Sequence, residues 1–291
     1  MFKKIALIGM GLIGSSLARV IRKNKIAERI VAIDQDAEVC DTVHKLGLAD
    51  EITQNVVDGV KDSDFVLIAI PVRSIPRVIE KCLPHLMPEA VLTDAGSVKR
   101  PVFEKVKNLG KRGAQIIPGH PVAGTENSGP ESGFAELFEN RWCILTPHEN
   151  ASIGAIEKVT AFWEASGSKV EIMDVSHHDK ILGITSHLPH MIAFAIVNTA
   201  NNLREDLRRE VMQYSASGFR DFTRIASENP DMWLDIFLDN KTDILDVLKL
   251  FKSDLALLEN ALLEEDGKTL WNIMNDSRKI REGLIALGQH S

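Results

Sequence analysis

The first residues that suggest chemistry are three glycines and an aspartate near the start of the chain. Gly9, Gly11 and Gly14 follow a short apolar run, and Asp34 ends a second apolar run twenty residues after Gly14. In a βαβ unit such glycines permit a tight turn, close approach of a pyrophosphate, and close packing of helix on strand. The helix N-terminus then receives the phosphate charge. The predicted cofactor-binding residues are Gly9, Gly11, Leu12, Ile13, Gly14 and Asp34.

Asp34 also bears on which dinucleotide binds. A carboxylate at this strand end accepts hydrogen bonds from a ribose diol and repels a 2′-phosphate. Gln35 and Asp36 follow it, and the next basic residue is Lys45, which a following helix is expected to carry away from the ribose. The pattern therefore predicts NAD rather than NADP.

Further clusters of polar residues are candidates for the reaction itself. The segments 94–99 and 119–126 each follow a predicted strand, and ligands of open α/β sheets bind beyond the carboxyl ends of strands. Ser186 and His190, at i and i+4, share one face of an otherwise apolar helix. A histidine in that setting is more often structural than functional. The segment 218–224 has two arginines beside an aspartate, which a surface loop with an ion pair also explains.

The elements that position these clusters alternate between strand and helix patterns. This alternation favours a Rossmann-type, doubly wound and mainly parallel sheet with helices on both faces. Beyond the first βαβ unit, strands are predicted at 64–70, 90–95, 115–118, 142–146 and 169–173.

Strand patterns stop near residue 175, and long helical patterns follow. Ser176, with Asp179 three residues later, predicts a capping box at the first of these helices. Asn229 followed by Pro230 predicts a second helix start. We therefore expect an NAD-binding domain at 1–175 and an all-helical domain at 176–291.

The end of the chain is predicted to form a helical hairpin that turns at Asp266 and Gly267. Apolar side chains recur there at spacings of three and four residues, which is typical of helices that pack along other helices. The pattern alone fits packing within one chain or a bundle shared by two chains. The apolar positions are Phe237, Ile244, Leu248, Phe251, Leu255, Leu258, Leu262, Leu270, Met274, Ile280, Leu284 and Leu287.

The charge and composition of the chain indicate which classes of partner it binds. The net charge is −7 and no basic block is present, which argues against nucleic acid and anionic membranes and favours a small-molecule substrate. No uninterrupted apolar run reaches about eighteen residues, so no membrane span is expected. Cys40, Cys82 and Cys143 indicate neither a disulfide framework nor a metal cluster. We expect a cytoplasmic protein without a metal site.

Six motifs occur in an order that is far more specific than any one of them: GMGLIGSSL, DAGSVK, GHPVAGTE, SHLPH, GFRDFTRIA and MWLDI. On these motifs the chain resembles the prephenate, arogenate and cyclohexadienyl dehydrogenases of tyrosine biosynthesis over nearly its whole length. The resemblance implies a Rossmann domain joined to a helical dimerisation domain, and therefore a homodimer. It also implies NAD-dependent oxidative decarboxylation of a cyclohexadienol. We expect neither a chorismate mutase segment nor an added regulatory domain.

The resemblance also implies roles for individual residues. His120 matches the family's catalytic histidine and Ser97 its hydrogen-bonded serine partner, while Arg224 matches the arginine that holds the ring carboxylate. A neutral imidazole suits the acceptance of a hydroxyl proton, and a planar guanidinium suits a carboxylate. The other pocket residues expected are Thr125, Glu126, Ser186, His190, Asp221 and Trp233.

Two alternatives compete with this interpretation. One is a β-hydroxyacid-type NAD-dependent dehydrogenase, although Asn240 and Lys241 lack the glycine that precedes them in that family's lysine motif. The other is a non-catalytic NAD-sensing regulator, which would not need His120, Ser97 and Arg224 together. The sequence leaves open the preference between prephenate and arogenate, the use of NADP, inhibition by tyrosine at the active site, and the effect of Ser217.

Overall fold

The computed structural model describes residues 1–109, 113 and 115–286, and in this part of the chain a parallel sheet has six strands in the order β3-β2-β1-β4-β5-β6. In register, Ile8 of β1 lies beside Ile33 of β2 and Ile68 of β4. The strand order reverses between β1 and β4, which is where doubly wound sheets bind ligands. The strands are β1 (Phe2–Ile8), β2 (Ala27–Ile33), β3 (Glu51–Thr53), β4 (Phe65–Ile68), β5 (Val91–Asp94) and β6 (Ile116–Ile117).

Helices cover both faces of this sheet, as the alternating pattern predicts. Successive side chains of β1 point to opposite faces, so Leu7 joins one apolar cluster with Leu17 and Val159, while Ile8 joins another with Ile79 and Val102. The helices are α1 (Leu12–Lys23), α2 (Ala37–Lys45), α3 (Val56–Val60), α4 (Ile75–Cys82), α5 (Arg100–Asn108) and α6 (Ile153–Ala165).

Part of the strand prediction differs from the structure. The segments expected at 142–146 and 169–173 are strands, but they lie in a second sheet, which has three strands among the described residues. Its first strand lies at the start of the segment 119–126, where the sequence predicts no strand, and it pairs antiparallel with the next strand. A three-residue strand containing proline has no alternating pattern to reveal it. The strands are β7 (Gly119–Pro121), β8 (Trp142–Leu145) and β9 (Lys169–Ile172).

The predicted capping box at Ser176 is wrong. Helix α7 (Val175–Leu182) is capped by Asp174, whose carboxylate accepts hydrogen bonds from the backbone N–H groups of Ser176 and His177. The side chain of Asp179 is turned toward α5 instead and binds the backbone there. The predicted start at Asn229 is confirmed, because its side chain accepts hydrogen bonds from the first turn of α11.

The helical part that follows α7 begins with a single π-helical turn, Gly183–His187. The remaining helices of this part are short, except for the first and the last two. Trp233 and Ile236 of α11 are buried in the apolar cluster on one face of the parallel sheet. The helices are α8 (Leu188–Asn201), α9 (Glu205–Gln213), α10 (Ser217–Thr223), α11 (Pro230–Asp239), α12 (Lys241–Leu263) and α13 (Gly267–Ala286).

One helical stretch, from α7 through α8, is long and apolar enough to cross a membrane by length and composition alone. Polar residues interrupt its apolar pattern, so it contains no continuous apolar run of about eighteen residues. This stretch carries His178 and Asp179, both fully buried and hydrogen-bonded to residues of the strand and helix that precede it. We therefore assign it to the fold around the sheet.

The chain divides into two compact units, Met1–Lys241 and Thr242–Ser291. The second unit contains most of α12 and all of α13, so the predicted helical hairpin and its turn are present. Leu287 of the predicted apolar pattern lies outside the described residues.

Candidate active site

The glycine loop has the shape that a dinucleotide requires. Gly9 has φ +90°, and a Cβ there would lie 2.3 Å from the carbonyl oxygen of Ala69. A Cβ on Gly14 would lie 1.9 Å from the carbonyl oxygen of Gly9, so neither position accepts a side chain. Gly11 faces open space, and as the N-cap of α1 it leaves the first N–H groups of the helix without a side-chain cap. These groups fit a pyrophosphate.

Asp34 lies directly after β2 and is tied to this loop. Its Oδ2 accepts a hydrogen bond from the backbone N–H of Met10 at 2.8 Å, and its Oδ1 accepts one from Asp36 N–H at 3.0 Å. An ionised carboxylate has about four acceptor positions, so two remain for a ribose diol. Lys45 is the last residue of α2, at the helix end away from Asp34. The residues present therefore fit NAD.

A buried ion pair joins the end of β5 to β7. The Lys99 ammonium contacts Asp94 Oδ2 and donates a hydrogen bond to the carbonyl oxygen of Gly119 at 2.6 Å. Asp94 also accepts hydrogen bonds from the backbone N–H groups of Gly96 and Gly119, at 2.8 and 3.2 Å. These contacts fix the loop that carries Ser97 beside the strand that carries His120.

His120 lies within β7 and begins a chain of buried polar side chains. Its Nδ1 is 2.8 Å from Nε2 of His178, and Nδ1 of His178 is 2.8 Å from Oδ1 of Asp179. The Asp179 carboxylate also accepts hydrogen bonds from the backbone N–H groups of Lys99 and Arg100, at 2.9 and 3.0 Å. Asp179 therefore connects the first turn of α5 to the imidazoles.

The surroundings set the charge of these groups. Burial, followed by the nearby His178 and Lys99, holds the pKa of His120 well below its usual value, so its imidazole is neutral at pH 7. Burial alone would raise the pKa of Asp179, but hydrogen bonds from His178 and from backbone N–H groups outweigh it and lower the pKa. Asp179 is therefore an ionised carboxylate.

Asn240 and His187 extend the network. The Asn240 amide donates hydrogen bonds to the backbone oxygen of Asp179 at 2.8 Å and to Nδ1 of His187 at 2.9 Å. Burial lowers the pKa of His187 to about 4. Its ring meets the ring of Trp233 edge to face, with centroids 6.1 Å apart.

A second group of side chains surrounds His190. Its ring stacks on Trp233 with centroids 3.6 Å apart, and its Nδ1 donates to the backbone oxygen of Ser186 at 2.9 Å. Its Nε2 lies 3.3 Å from Glu228 Oε1, at ion-pair distance but without hydrogen-bond geometry. Trp233 Nε1 donates to Glu228 Oε2 at 2.8 Å. Glu228 therefore joins two predicted pocket residues.

Arg224 lies at the open side of this group. Its Nη1 donates a hydrogen bond to Glu126 Oε2 at 2.9 Å, and its side chain is 57% exposed. His190 and Trp233, and to a smaller extent Arg224, lower the pKa of Glu228, which burial alone would raise. A half-exposed guanidinium with one exchangeable carboxylate partner is able to bind a carboxylate from solution.

The remaining predicted residues are placed less specifically. Ser97 is half-buried, and its hydroxyl has no hydrogen-bond partner within the described residues. The Thr125 hydroxyl accepts a hydrogen bond from the backbone of Asn127, and Asp221 is exposed on α10. Ser186 contributes its backbone oxygen to His190. The hydrogen bond expected between Ser97 and His120 stays a prediction.

Five residues of the network escaped sequence reasoning. For two of them the sequence predicts something else: the spacing of Asp179 from Ser176 predicts a capping box, and Asn240 bears only on the absent lysine motif. The other three are not singled out by the sequence, although His187 lies within the SHLPH motif, because a polar residue reveals neither its burial nor its partner. The five are Asp179, Asn240, His178, His187 and Glu228.

The described residues contain no group of three or more histidine, cysteine or acidic side chains arranged to hold a metal ion. One cavity of about 680 Å³ lies among α8, α9 and α10, and its lining includes none of the residues of the polar network. The polar network, rather than this cavity, carries the groups suited to a reaction.

Two family models match consecutive parts of the chain. The first, described as prephenate dehydrogenase, nucleotide-binding domain, matches residues 17–172. The second, described as prephenate dehydrogenase, dimerization domain, matches residues 174–276.

Individual relatives agree with these models. Cyclohexadienyl dehydrogenase of Zymomonas mobilis is 39% identical over 284 residues, which are 97% of this chain and 96% of that protein. The crystal structure of prephenate dehydrogenase from Aquifex aeolicus with hydroxyphenyl propionate and NAD+ is 32% identical, with a TM-score of 0.91 over 98% of this chain and 99% of that chain. Synechocystis arogenate dehydrogenase is 26% identical, with a TM-score of 0.80 over 96% of this chain and 99% of that one.

Proposed function

The chain belongs to the prephenate dehydrogenase family, and from that premise we propose that it oxidatively decarboxylates prephenate, arogenate or both. It is an NAD-dependent dehydrogenase of tyrosine biosynthesis. The observation that carries the proposal is the buried polar network that runs from the end of β5 through His120 to His187, beside the separate group around His190. Membership of this family argues against both alternatives, a β-hydroxyacid-type dehydrogenase and a non-catalytic NAD-sensing regulator.

His120 is the base in this proposal. Bound NAD supplies a hydride acceptor. As the carbinol hydrogen leaves as hydride and the ring carboxylate leaves as carbon dioxide, Nε2 of His120 holds the hydroxyl proton and returns it to the phenolic oxygen. The stoichiometry then balances without a net proton. A buried, neutral imidazole suits this task. Ser97, in the adjacent loop with a free hydroxyl, orients the substrate hydroxyl.

Arg224 binds the ring carboxylate. Its present partner, Glu126, is 37% exposed, so the substrate carboxylate replaces Glu126 at little desolvation cost. A bidentate guanidinium contact contributes roughly 1.5 to 3 kcal/mol. Thr125, Ser186, His190, Asp221 and Trp233 form the rest of the pocket.

Carboxylates near the pocket bear on the choice between the two substrates. Prephenate ends in a keto acid and arogenate in an amino acid, and an ammonium group is stabilised by nearby carboxylates. Glu126 and Glu228 provide such carboxylates, and Arg224 limits their repulsion of a keto acid. We propose that the enzyme uses both substrates.

The proposal also covers the domain boundary, the oligomeric state and the location of the protein. The two family models meet at residues 172 and 174, which supports a boundary near residue 175 between an NAD-binding domain and a helical domain. The second model describes a dimerization domain, so we propose a homodimer formed through the helical part. Cys40, Cys82 and Cys143 carry free thiols, which is consistent with a cytoplasmic location.

The test is the initial rate of NAD reduction with prephenate and, separately, with arogenate, each repeated with NADP. We expect turnover of both with NAD. The variant His120→Asn should lower kcat by roughly 10²- to 10⁴-fold, with NAD affinity by calorimetry unchanged. Near-normal turnover by this variant would show that His120 is not the base. No turnover of either substrate by an enzyme that binds NAD would refute the function.

A further inference from the structure

Asp179, His178 and His120 form a linear series of contacts that ends at the proposed base. Asp179 and His178 are fully buried, and His120 is 7% exposed. Each contact in the series is 2.8 Å between polar atoms. The Asp179 carboxylate already accepts hydrogen bonds from two backbone N–H groups at the start of α5. Capping that helix therefore does not require the additional contact with His178.

The negative charge of Asp179 determines which ring nitrogens of His178 and His120 carry a proton. An ionised carboxylate only accepts hydrogen bonds, so Nδ1 of His178 must be the donor to Asp179. A neutral His178 then carries no proton on Nε2, and this nitrogen accepts from Nδ1 of His120. With its proton on Nδ1, a neutral His120 has a free lone pair on Nε2.

We propose that Asp179 and His178 are positioning residues that fix the tautomer of His120 and leave its Nε2 unprotonated for the substrate hydroxyl. The inference rests on the proposed function, in which His120 is the base. When an O–H bond of the substrate breaks and an N–H bond forms at Nε2, His120 becomes a cation. Its Nδ1 proton is shared with His178 and thereby stabilised by the Asp179 carboxylate.

Other titratable groups near His120 do not replace this function. Asp94 ends β5 and Lys99 lies in the loop that follows, His187 belongs to the π-helical turn, and Cys143 lies on β8. Lys99 and Asp94 bind each other. His187 receives its hydrogen bond from Asn240. Among the described residues, only His178 contacts a ring nitrogen of His120.

The direct test is a long-range ¹H–¹⁵N spectrum of the NAD-loaded enzyme, labelled with ¹⁵N-histidine, at pH 7. The signals of His120 are identified by their loss in His120→Asn. We expect both His120 and His178 to be protonated on Nδ1 and unprotonated on Nε2. A His120 that carries its proton on Nε2, or on both nitrogens, would overturn the inference. This result does not depend on which substrate the enzyme uses.

Kinetic measurements on two His178 variants distinguish a role in positioning His120 from a role in packing alone. His178→Phe keeps a ring but removes the acceptor, whereas the amide oxygen of His178→Gln still accepts a hydrogen bond. We expect kcat to fall about 100-fold in the phenylalanine variant and less than about 10-fold in the glutamine variant, with both KM values unchanged. In a plot of kcat against pH, the pH at which activity is lost on the acid side should also change in the phenylalanine variant.

The matched controls are His177→Phe and His177→Gln, at the exposed neighbouring position of α7, which should retain the wild-type kcat. Equal activity of His178→Phe and the wild type, or equal losses in the two His178 variants, would contradict the inference. If wild-type enzyme turned over neither substrate, the proposed function would fail, while the spectrum would still decide the tautomer.

Discussion

The ammonium of Lys99 is completely buried against the carboxylate of Asp94, although the two residues lie at opposite ends of one short loop. Between them is Ser97, and the same ammonium holds the carbonyl oxygen of Gly119, which precedes His120. The ion pair therefore fixes two of the proposed catalytic residues relative to each other.

Breaking this pair should destabilise the protein. Lys99→Met leaves Asp94 buried without its counter-charge and removes the donor from Gly119, so we expect a loss of about 3 to 5 kcal/mol in the free energy of unfolding. Urea unfolding at pH 7 measures it. Lys105→Met, which breaks an ion pair with the exposed Glu80, should cost about 1 kcal/mol or less.

The double variant Asp94→Asn with Lys99→Met tests the cause. Because it removes both charges, its loss should be smaller than the sum of the two single losses. Additive losses, or a loss below about 1 kcal/mol in Lys99→Met, would show that the pair does not stabilise the fold.

Arg224→Gln should weaken substrate binding more than it slows the reaction. The guanidinium binds a carboxylate in both ground and transition states, so KM should rise roughly 10- to 100-fold while kcat changes little. Steady-state kinetics with prephenate measure both constants. Arg77→Gln, at an exposed position of α4, is the matched control. An equal fall in kcat would assign Arg224 to the catalytic step instead.

Acid should destabilise the protein partly through His187. Its pKa is about 4 in the folded protein and about 6.5 when unfolded, so the unfolded chain binds more protons between these values. Stability is therefore full above about pH 6.5 and falls as the pH decreases toward 4. Between pH 7 and pH 5 this group contributes a loss of about 2 kcal/mol, and burial of His120 and His178 acts in the same direction.

The variant His187→Asn tests this contribution, because an amide oxygen can still accept the hydrogen bond from Asn240. Urea unfolding at pH 7 and pH 5 should show a smaller loss than in the wild type, by about 2 kcal/mol. His44→Asn, at an exposed position of α2, should keep the wild-type difference. Identical pH dependence in all three proteins would contradict the assignment.

Asp34→Asn should reduce the preference for NAD over NADP. The variant removes the charge that repels a 2′-phosphate and weakens the contacts with the ribose and with Met10 N–H, so we expect kcat/KM for NAD to fall about 10-fold. The ratio of kcat/KM for the two cofactors measures the change. Asp41→Asn on α2 is the control. An unchanged ratio would exclude Asp34 as the discriminating group.

The parts of the fold that could be predicted depend on short stretches of chain. The glycine loop, Asp34 and the start at Asn229 are set by neighbours in sequence, and the structure has them as expected. Strand β7 and the second sheet depend on pairing between distant segments, which no local pattern encodes.

In the site, too, contacts between distant segments could not be predicted from the sequence. Roles for His120 and Arg224 are accessible only through resemblance, and the buried residues that support His120, namely His178 and Asp179, are indicated neither by resemblance nor by local pattern. Asp179 binds backbone groups 79 and 80 residues away, and its spacing from Ser176 imitates a capping box. Asn240 is buried because of a fold that brings α11 to α7, so its burial could not be inferred from the sequence beside it.

In the proposed reaction, hydride transfer to NAD is coupled to loss of the ring carboxylate, and the ratio of the two products measures this coupling. Prephenate labelled with ¹⁴C in the ring carboxylate is incubated with enzyme and NAD, and released carbon dioxide and NADH are counted together. We predict one carbon dioxide for each NADH, with both rates falling equally in His120→Asn. NADH formed without labelled carbon dioxide would show that the enzyme oxidises prephenate without decarboxylating it.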